Sequence, residues 1–301
     1  MSATETIVIG GGVSGLATAA LLAAEGHRVT LVEARDELGG RAGSWSRDGF
    51  RFDTGPSWYL MPEVFEHFYR LLGTSADAEL DLRTLEVGYR AYLAGDALFE
   101  LPAGSDAARA ALTALDPDRA HDIRRYLDQA GEDYDLALRR FLYGSFDSLR
   151  PYLDRELLGA LPRLARGLTR SLDAEIRRHT HDPRLRRLLG YPAVFLGTTP
   201  FRAPALYRLM SHLDVDAGVR YPMGGFAAVV DSLVRLARDA GAELVTGATV
   251  ERILVREGHA RGVITRDRTG ARLMRCAELV VTAADLHHVD TELLGPRAPR
   301  P

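Results

Sequence analysis

Gly10, Gly12 and Gly15 are spaced as G-x-G-x-x-G, and the carboxylate of Glu33 follows about 20 residues further on. That combination can bind a dinucleotide. The first glycine allows a tight turn, the second lets backbone approach a pyrophosphate, and the third lets a helix pack closely on a strand. A helix opening at about Val13 and Ser14 offers free N–H groups and the positive end of its dipole to the phosphates. Glu33, with Ala34 beside it, can accept a hydrogen bond from a ribose hydroxyl. The glycines alone are a weak signal, because a glycine-rich turn without a ligand is written in the same letters.

The elements that must hold these residues are legible on both sides of the turn. Ile7-Val8-Ile9 is a short apolar strand, and Leu16, Ala19, Ala20, Leu22 and Ala23 recur at helical spacing until Gly26. His27 to Val32 is a second strand that ends at Glu33. The pattern predicts an α/β fold whose residues 1–75 begin a Rossmann-like domain, with Pro62 starting an amphipathic helix through Val64, Phe65, Phe68 and Leu72. Residues 76–218 read as an inserted substrate or cap region. Its hairpin pairs Leu85–Leu93 with Ala97–Leu101 about the turn Ala94-Gly95-Asp96, and the sequence is mainly helical from Ser105 to about Ser211. Breaks in that helical part fall near Pro117, Gly144, Pro151, Pro183 and Pro192.

Residues 219–294 return to the first domain. Gly224-Gly225 precede a helix carrying Val229, Val230 and Leu233, and strands follow over 241–245 and 250–255. A meander turns at Glu257-Gly258 and Thr269-Gly270, and Leu279–Thr282 is a buried parallel strand expected in the sheet of Thr6–Ile9. The proline- and arginine-rich residues 295–301 are expected to be a disordered tail.

Glu33 to Arg41, an acid followed by Gly39, Gly40 and Arg41, resembles the second fingerprint of the flavin amine oxidase and carotenoid desaturase superfamily. Gly49 to Pro62, which contains Gly55, Pro56 and Ser57, is similar to the flavin-edge segment of that superfamily. Its Trp58-Tyr59-Leu60-Met61 is the version associated with bacterial phytoene desaturases. Tyr191–Pro200, Ala203–Tyr207, Met210–Leu213 and Arg220–Phe226 are similar to further signatures of these desaturases, and Ala248–Ile253 and Ala283–Val289 complete the pattern. The whole chain therefore resembles the phytoene desaturase family.

That resemblance implies FAD rather than NAD. Gly39 and Gly40 would let backbone approach the cofactor, Arg41 would pair with pyrophosphate oxygens, and Val250 and Ala283 would add backbone contacts. It implies an apolar, phytoene-like polyene as substrate, with a hydride leaving an allylic carbon for flavin N5 and a proton leaving its neighbour. Such a hydrocarbon has no polar handle, so an apolar tunnel must recognise it, at about 25 cal/mol per Å² buried. No acidic residue stands out as the proton acceptor, and the catalytic residue is left unassigned.

Members of this family continue past the point where Pro301 falls, to a strand-helix segment beside the flavin ring. The resemblance therefore implies a truncated frame or a C-terminal half supplied as a separate chain, and a chain that is a poor desaturase by itself. Two other readings stay open: a non-catalytic FAD-binding piece, and a flavin amine oxidase or other polyene-modifying enzyme. An amine oxidase should show aromatic residues caging an amine.

With 301 residues and 46% hydrophobic content, the chain can bury cores for about two domains. A net charge of -3 argues against nucleic acid as a partner. All 38 cationic side chains are arginine, which reads first as coding bias. The single Cys276 excludes an internal disulfide, fits a reducing cytoplasm, and reads as a buried thiol in a strand. No secretory signal is visible, and Ile7–Ile9 is too short to span a membrane. The arginine-dense stretch from Arg163 to Arg187, interleaved with leucines, reads as a solvated helix face, with contact to the inner face of the cell membrane as the alternative. His179, His181 and Asp182 are not expected to bind metal, because positions i and i+2 point apart on a helix. His287-His288 are expected to lie near the cofactor through their backbone.

Overall fold

A computed structural model describes residues 3–93, 97–144 and 155–295. The expected hairpin turn at 94–96, the break at Pro151 and the tail beyond Gly295 lie outside the described residues. The chain divides into two compact units, Met1–Arg83 with Tyr221–Pro301, and Thr84–Arg220.

The first unit is built on a parallel sheet of four strands in the order Leu279–Thr282, Glu5–Ile9, Arg28–Val32 and Glu243–Val245. Thr6 pairs with Leu279 and Ile9 with Thr282, as expected, but Leu279–Thr282 is the edge strand of the sheet, with Leu279 and Thr282 exposed, and so is not the buried strand that its apolar run suggested. Strand alternation then sorts the side chains. Val8 and Leu31 face the cluster formed by Leu16, Ala20, Val229 and Leu233 of the helices Val13–Ala24 and Phe226–Asp239. Ile7, Ile9 and Val32 face Val250, Ile253 and Val263. Those residues belong to an antiparallel meander of the strands Ala248–Arg256, His259–Asp267 and Arg272–Cys276, which covers the second face. Gly26, at φ +88°, lets the chain leave the first helix for the next strand. Two short antiparallel strands, Ser44–Arg47 and Phe50–Asp53, and the helix Pro62–Leu71 complete the unit.

One expectation fails in the meander. Cys276 is exposed, not buried. It ends Arg272–Cys276, the edge strand of the three, in which only Arg275 is half-buried and the other residues are exposed.

The second unit opens with the hairpin Val87–Leu93 and Ala97–Pro102, its first strand starting two residues later than the alternation predicts. Helices follow at Ser105–Thr113, Ala120–Ala137, Arg155–Thr169, Leu172–Ile176, Pro183–Gly190 and Met210–Val215. Leu101, Leu112, Ile123, Leu127, Ile176 and Leu185 form its core. His179 and His181 are not on a helix. They sit in the turn between Ile176 and Pro183, where His179 is buried with Nδ1 2.9 Å from the Asp122 carbonyl. Among the described residues no cluster of three or more His, Cys, Asp or Glu side chains could hold a metal ion, and no helix is long and apolar enough to cross a membrane.

Asp214 is buried in this unit. Its Oδ2 accepts a 2.8 Å hydrogen bond from the Tyr191 hydroxyl. Burial, opposed in part by the Tyr191 hydrogen bond, pushes its pKa from 3.8 up to about 7. The folded state thus holds this proton more tightly than the unfolded chain does. The resulting stabilisation is complete below pH 3.8 and is lost as pH rises through about 7. Asp214→Asn removes the titration and keeps the shape. Denaturant midpoints should show the variant gaining on the parent between pH 3.8 and about 7, with the gap flat above that. A gap independent of pH would contradict this reading.

Candidate dinucleotide site

The first strand ends at Ile9, and Gly10 turns the chain at φ +102°, its N–H donating to the Val32 carbonyl at 2.9 Å. A Cβ on Gly10 would come within 3.2 Å of the Ala283 carbonyl group, and Ala283 N–H donates to Ile9 O at 2.8 Å. Gly15 is more constrained. A Cβ there would stand 1.9 Å from the Gly10 carbonyl oxygen, so only glycine lets the helix pack this close to the turn. Gly12 is the N-cap of Val13–Ala24. This N-cap glycine has no side chain to cap the helix, and no acid occupies the helix's first turn. The N–H groups of Val13, Ser14 and Gly15 therefore lack the intrahelical acceptors that later residues have.

Glu33 closes the turn from the neighbouring strand. Its Oε2 accepts from Gly11 N–H at 2.7 Å and its Oε1 from Arg35 N–H at 2.9 Å. The Glu33 backbone is held as well, its N–H donating to Val245 O at 2.8 Å and its carbonyl accepting from Ala248 N–H at 3.0 Å. Ala34 is exposed beside it. Gly11 is a site residue that pattern reading passed over: a Cβ there would lie 2.4 Å from Leu38 Cδ2 and 3.1 Å from Glu33 Cβ. The run of three glycines in the sequence was the available signal.

The second glycine pair lies directly on the first. Gly39 N–H donates to Gly11 O at 2.7 Å, and a Cβ on Gly40 would sit 3.0 Å from Gly12 Cα. Arg41 follows, exposed and without an ion pair among the described residues. Gly55 packs on the backbone of Arg41, since a Cβ there would meet its carbonyl oxygen at 1.9 Å. Pro56 and Ser57 are exposed, and they are tied to this cluster only through the chain. Val250 has its side chain in the apolar cluster with Ile9 and Val32, beside a register shift in its strand, which leaves only its main chain to offer a ligand. His287 and His288 donate their N–H groups to Asp285 Oδ1 at 3.0 and 3.3 Å, as the start of a short helix.

Asp53 is the second residue that pattern reading missed. Its carboxylate accepts from Phe226 N–H at 2.7 Å and Ala227 N–H at 3.1 Å, capping the helix Phe226–Asp239 from a distant part of the sequence. Gly225, at φ +81°, makes room, for a Cβ there would be 2.6 Å from Asp53 Oδ2. Asp53→Ala is expected to lower stability by about 0.5–2 kcal/mol. Urea titration checks this, and an unchanged midpoint would mean the cap contributes nothing.

The arrangement fits a dinucleotide: a helix N-terminus with glycine at its N-cap, two glycine turns in contact, a carboxylate at the end of the second strand, and Arg41 directly after the second turn, exposed and without an ion pair among the described residues. Residues 13–301 match the family described as flavin containing amine oxidoreductase. The chain belongs to that family. It is 36% identical to a carotenoid 3,4-desaturase of Haloarcula japonica over 98% of this chain and 58% of that protein. It is 32% identical to a zeta-carotene-forming phytoene desaturase of Myxococcus xanthus over 97% of this chain and 55% of that one. The chain thus spans little more than half the length of these relatives. Among solved structures, putrescine oxidase bound to putrescine superposes with a TM-score of 0.66 at 19% identity, over 99% of this chain and 62% of that one. Cyclohexylamine oxidase from Brevibacterium oxydans superposes with 0.60 at 20% identity, over 99% and 61%. These likenesses show the fold. Membership of a flavin-containing family, together with the dinucleotide turn, makes FAD the cofactor.

Proposed function

We propose that the protein is an FAD-dependent oxidoreductase that dehydrogenates an apolar polyene of the carotenoid class. The observation that carries the reading is the contact between the two glycine turns, closed by Glu33, in a chain whose relatives at 32–36% identity are named carotenoid and phytoene desaturases. When bound, FAD supplies a hydride acceptor at its flavin ring.

The chain's own residues do the holding. The helix N-terminus at Val13 and Ser14 and the guanidinium of Arg41 face the pyrophosphate, and the glycines at 10, 12, 39 and 40 admit it. Glu33, with two N–H groups already on its oxygens, keeps acceptor capacity for a ribose hydroxyl. Ala34, Gly55, Pro56, Ser57, Ala283 and the main chain of Val250 border the cofactor. The unit Thr84–Arg220 serves as the substrate region, its task being to align a hydrocarbon and keep water out. Peripheral contact with a membrane on the cytoplasmic side gives such a substrate a route to the protein.

The test is anaerobic mixing of the FAD-loaded protein with phytoene in liposomes. Slow bleaching of the oxidised flavin band together with weak new long-wavelength polyene bands is the expected result, since the chain by itself is expected to be a poor desaturase. Bleaching by a primary amine and not by phytoene would overturn the substrate assignment in favour of an amine oxidase.

A further inference from the structure

The helical unit contains a cavity of about 270 Å³ with a strongly basic wall. Arg125 comes from the helix Ala120–Ala137, Arg163 and Arg166 from Arg155–Thr169, Arg170 and Arg178 from the turns that follow, and Arg208 from the short 3-10 helix Ala205–Leu209. Glu175 is the one carboxylate among the described lining residues. The volume falls just below the range of about 300–1,000 Å³ usual for clefts that hold drug-sized ligands. The cavity suits a small anion and not a C40 chain.

The charges around it do not cancel. Arg208 is buried and held by Asp133 at 2.8 Å and Glu175 at 3.2 Å. Arg163 pairs with the same Asp133 at 3.0 Å and with Glu132, and Arg125 pairs with Asp122 at 3.1 Å. Glu175 also faces His179 at 3.6 Å, so it is already shared when Arg170 approaches at 3.9 Å. The acids thus fix the inner arginines, while Arg166 and Arg178 make no ion pair among the described residues and Glu175 serves several cations at once, so arginines outnumber carboxylates at the wall.

Several planar guanidinium forks around one small space match an anion with several oxygens better than a lone carboxylate. We propose that this cavity binds a phosphate group, either free or as the headgroup of a phospholipid. The helix Arg155–Thr169 also exposes Leu158, Leu161 and Leu168, which is why the lipid source is tested beside the free one. The inference is independent of the flavin reading, and loss of FAD binding would leave it standing.

Calorimetric titration of the whole chain with inorganic phosphate, at ionic strength matched with chloride, reads the site directly. Saturable binding is expected, weakened about tenfold or more in the double variant Arg166→Ala, Arg178→Ala. The double variant Arg124→Ala, Arg202→Ala removes the same charge from exposed positions outside the cavity and should bind as the parent does. Sedimentation with phosphatidylcholine vesicles, with and without phosphatidic acid, separates the sources. Binding only to the phosphatidic acid vesicles, displaced by inorganic phosphate, supports the headgroup; phosphate binding without vesicle binding supports the free anion. No saturable phosphate binding by the parent chain overturns the proposal whatever the variants do, and so does equal weakening in both double variants.

Discussion

Gly15→Ala is expected to leave the protein without bound FAD. The added Cβ would stand 1.9 Å from the Gly10 carbonyl oxygen and 3.1 Å from its carbon, both of them backbone atoms that no rotamer change can move. The helix Val13–Ala24 must then back away from the strand Glu5–Ile9, and its N-terminus leaves the position that faces the pyrophosphate. A loss of about 100-fold or more in FAD affinity, about 2.8 kcal/mol, is expected from titration of the apoprotein. Gly159→Ala is the matched control, because a Cβ there meets nothing within 4 Å in the middle of a helix. It should retain flavin fully. Retention of flavin by Gly15→Ala would show that the close packing does not serve the ligand.

Glu33→Ala is expected to cost about 1–3 kcal/mol of FAD affinity and to loosen the apoprotein as well. Both consequences follow from the same two hydrogen bonds. The carboxylate receives Gly11 N–H at 2.7 Å and Arg35 N–H at 2.9 Å, so it braces the glycine turn before any ribose arrives. Removing it strands two donors and frees Gly11 to move. Thermal unfolding of the apoprotein isolates the bracing, and FAD titration reads the sum. If affinity falls while apoprotein stability does not change, Glu33 acts on the ligand alone and the bracing role is wrong.

The strands and helix around the glycine turn were legible because burial on both faces of a parallel sheet writes continuous apolar runs, and Ile7-Val8-Ile9 is such a run; Leu279–Thr282 shows the same apolar pattern and joins that sheet, although at its exposed edge. Glu33 was legible because the strand that carries it has a fixed length. Contacts made across long sequence separations were not. Nothing local in Phe52-Asp53-Thr54 announces that its carboxylate caps a helix beginning at Phe226, and no pattern rule places Gly55 on the backbone of Arg41. Cys276 misled for a related reason: a lone cysteine in a strand is usually buried, but strand order puts this one at an edge. The turn that carries His179 was hidden by leucine and arginine periodicity running on both sides of it. The basic cavity was visible only as an arginine-rich stretch, since its wall is assembled from helices and turns spread over more than eighty residues, from Arg125 to Arg208.

The contacts that carry the cofactor assignment, the two glycine turns with Arg41 and Glu33, belong to its adenosine diphosphate side, and fluorescence titration of the apoprotein with FAD and with FMN tests that assignment most directly. FMN has the same isoalloxazine ring but lacks the pyrophosphate and the second ribose, which the turns at Gly10–Gly15 and Gly39–Arg41 and the Glu33 carboxylate are placed to hold. FAD should bind saturably with one site per chain, ADP should compete for it, and FMN should bind far more weakly. FMN binding as tightly as FAD, or FAD binding that ADP does not displace, would contradict the account.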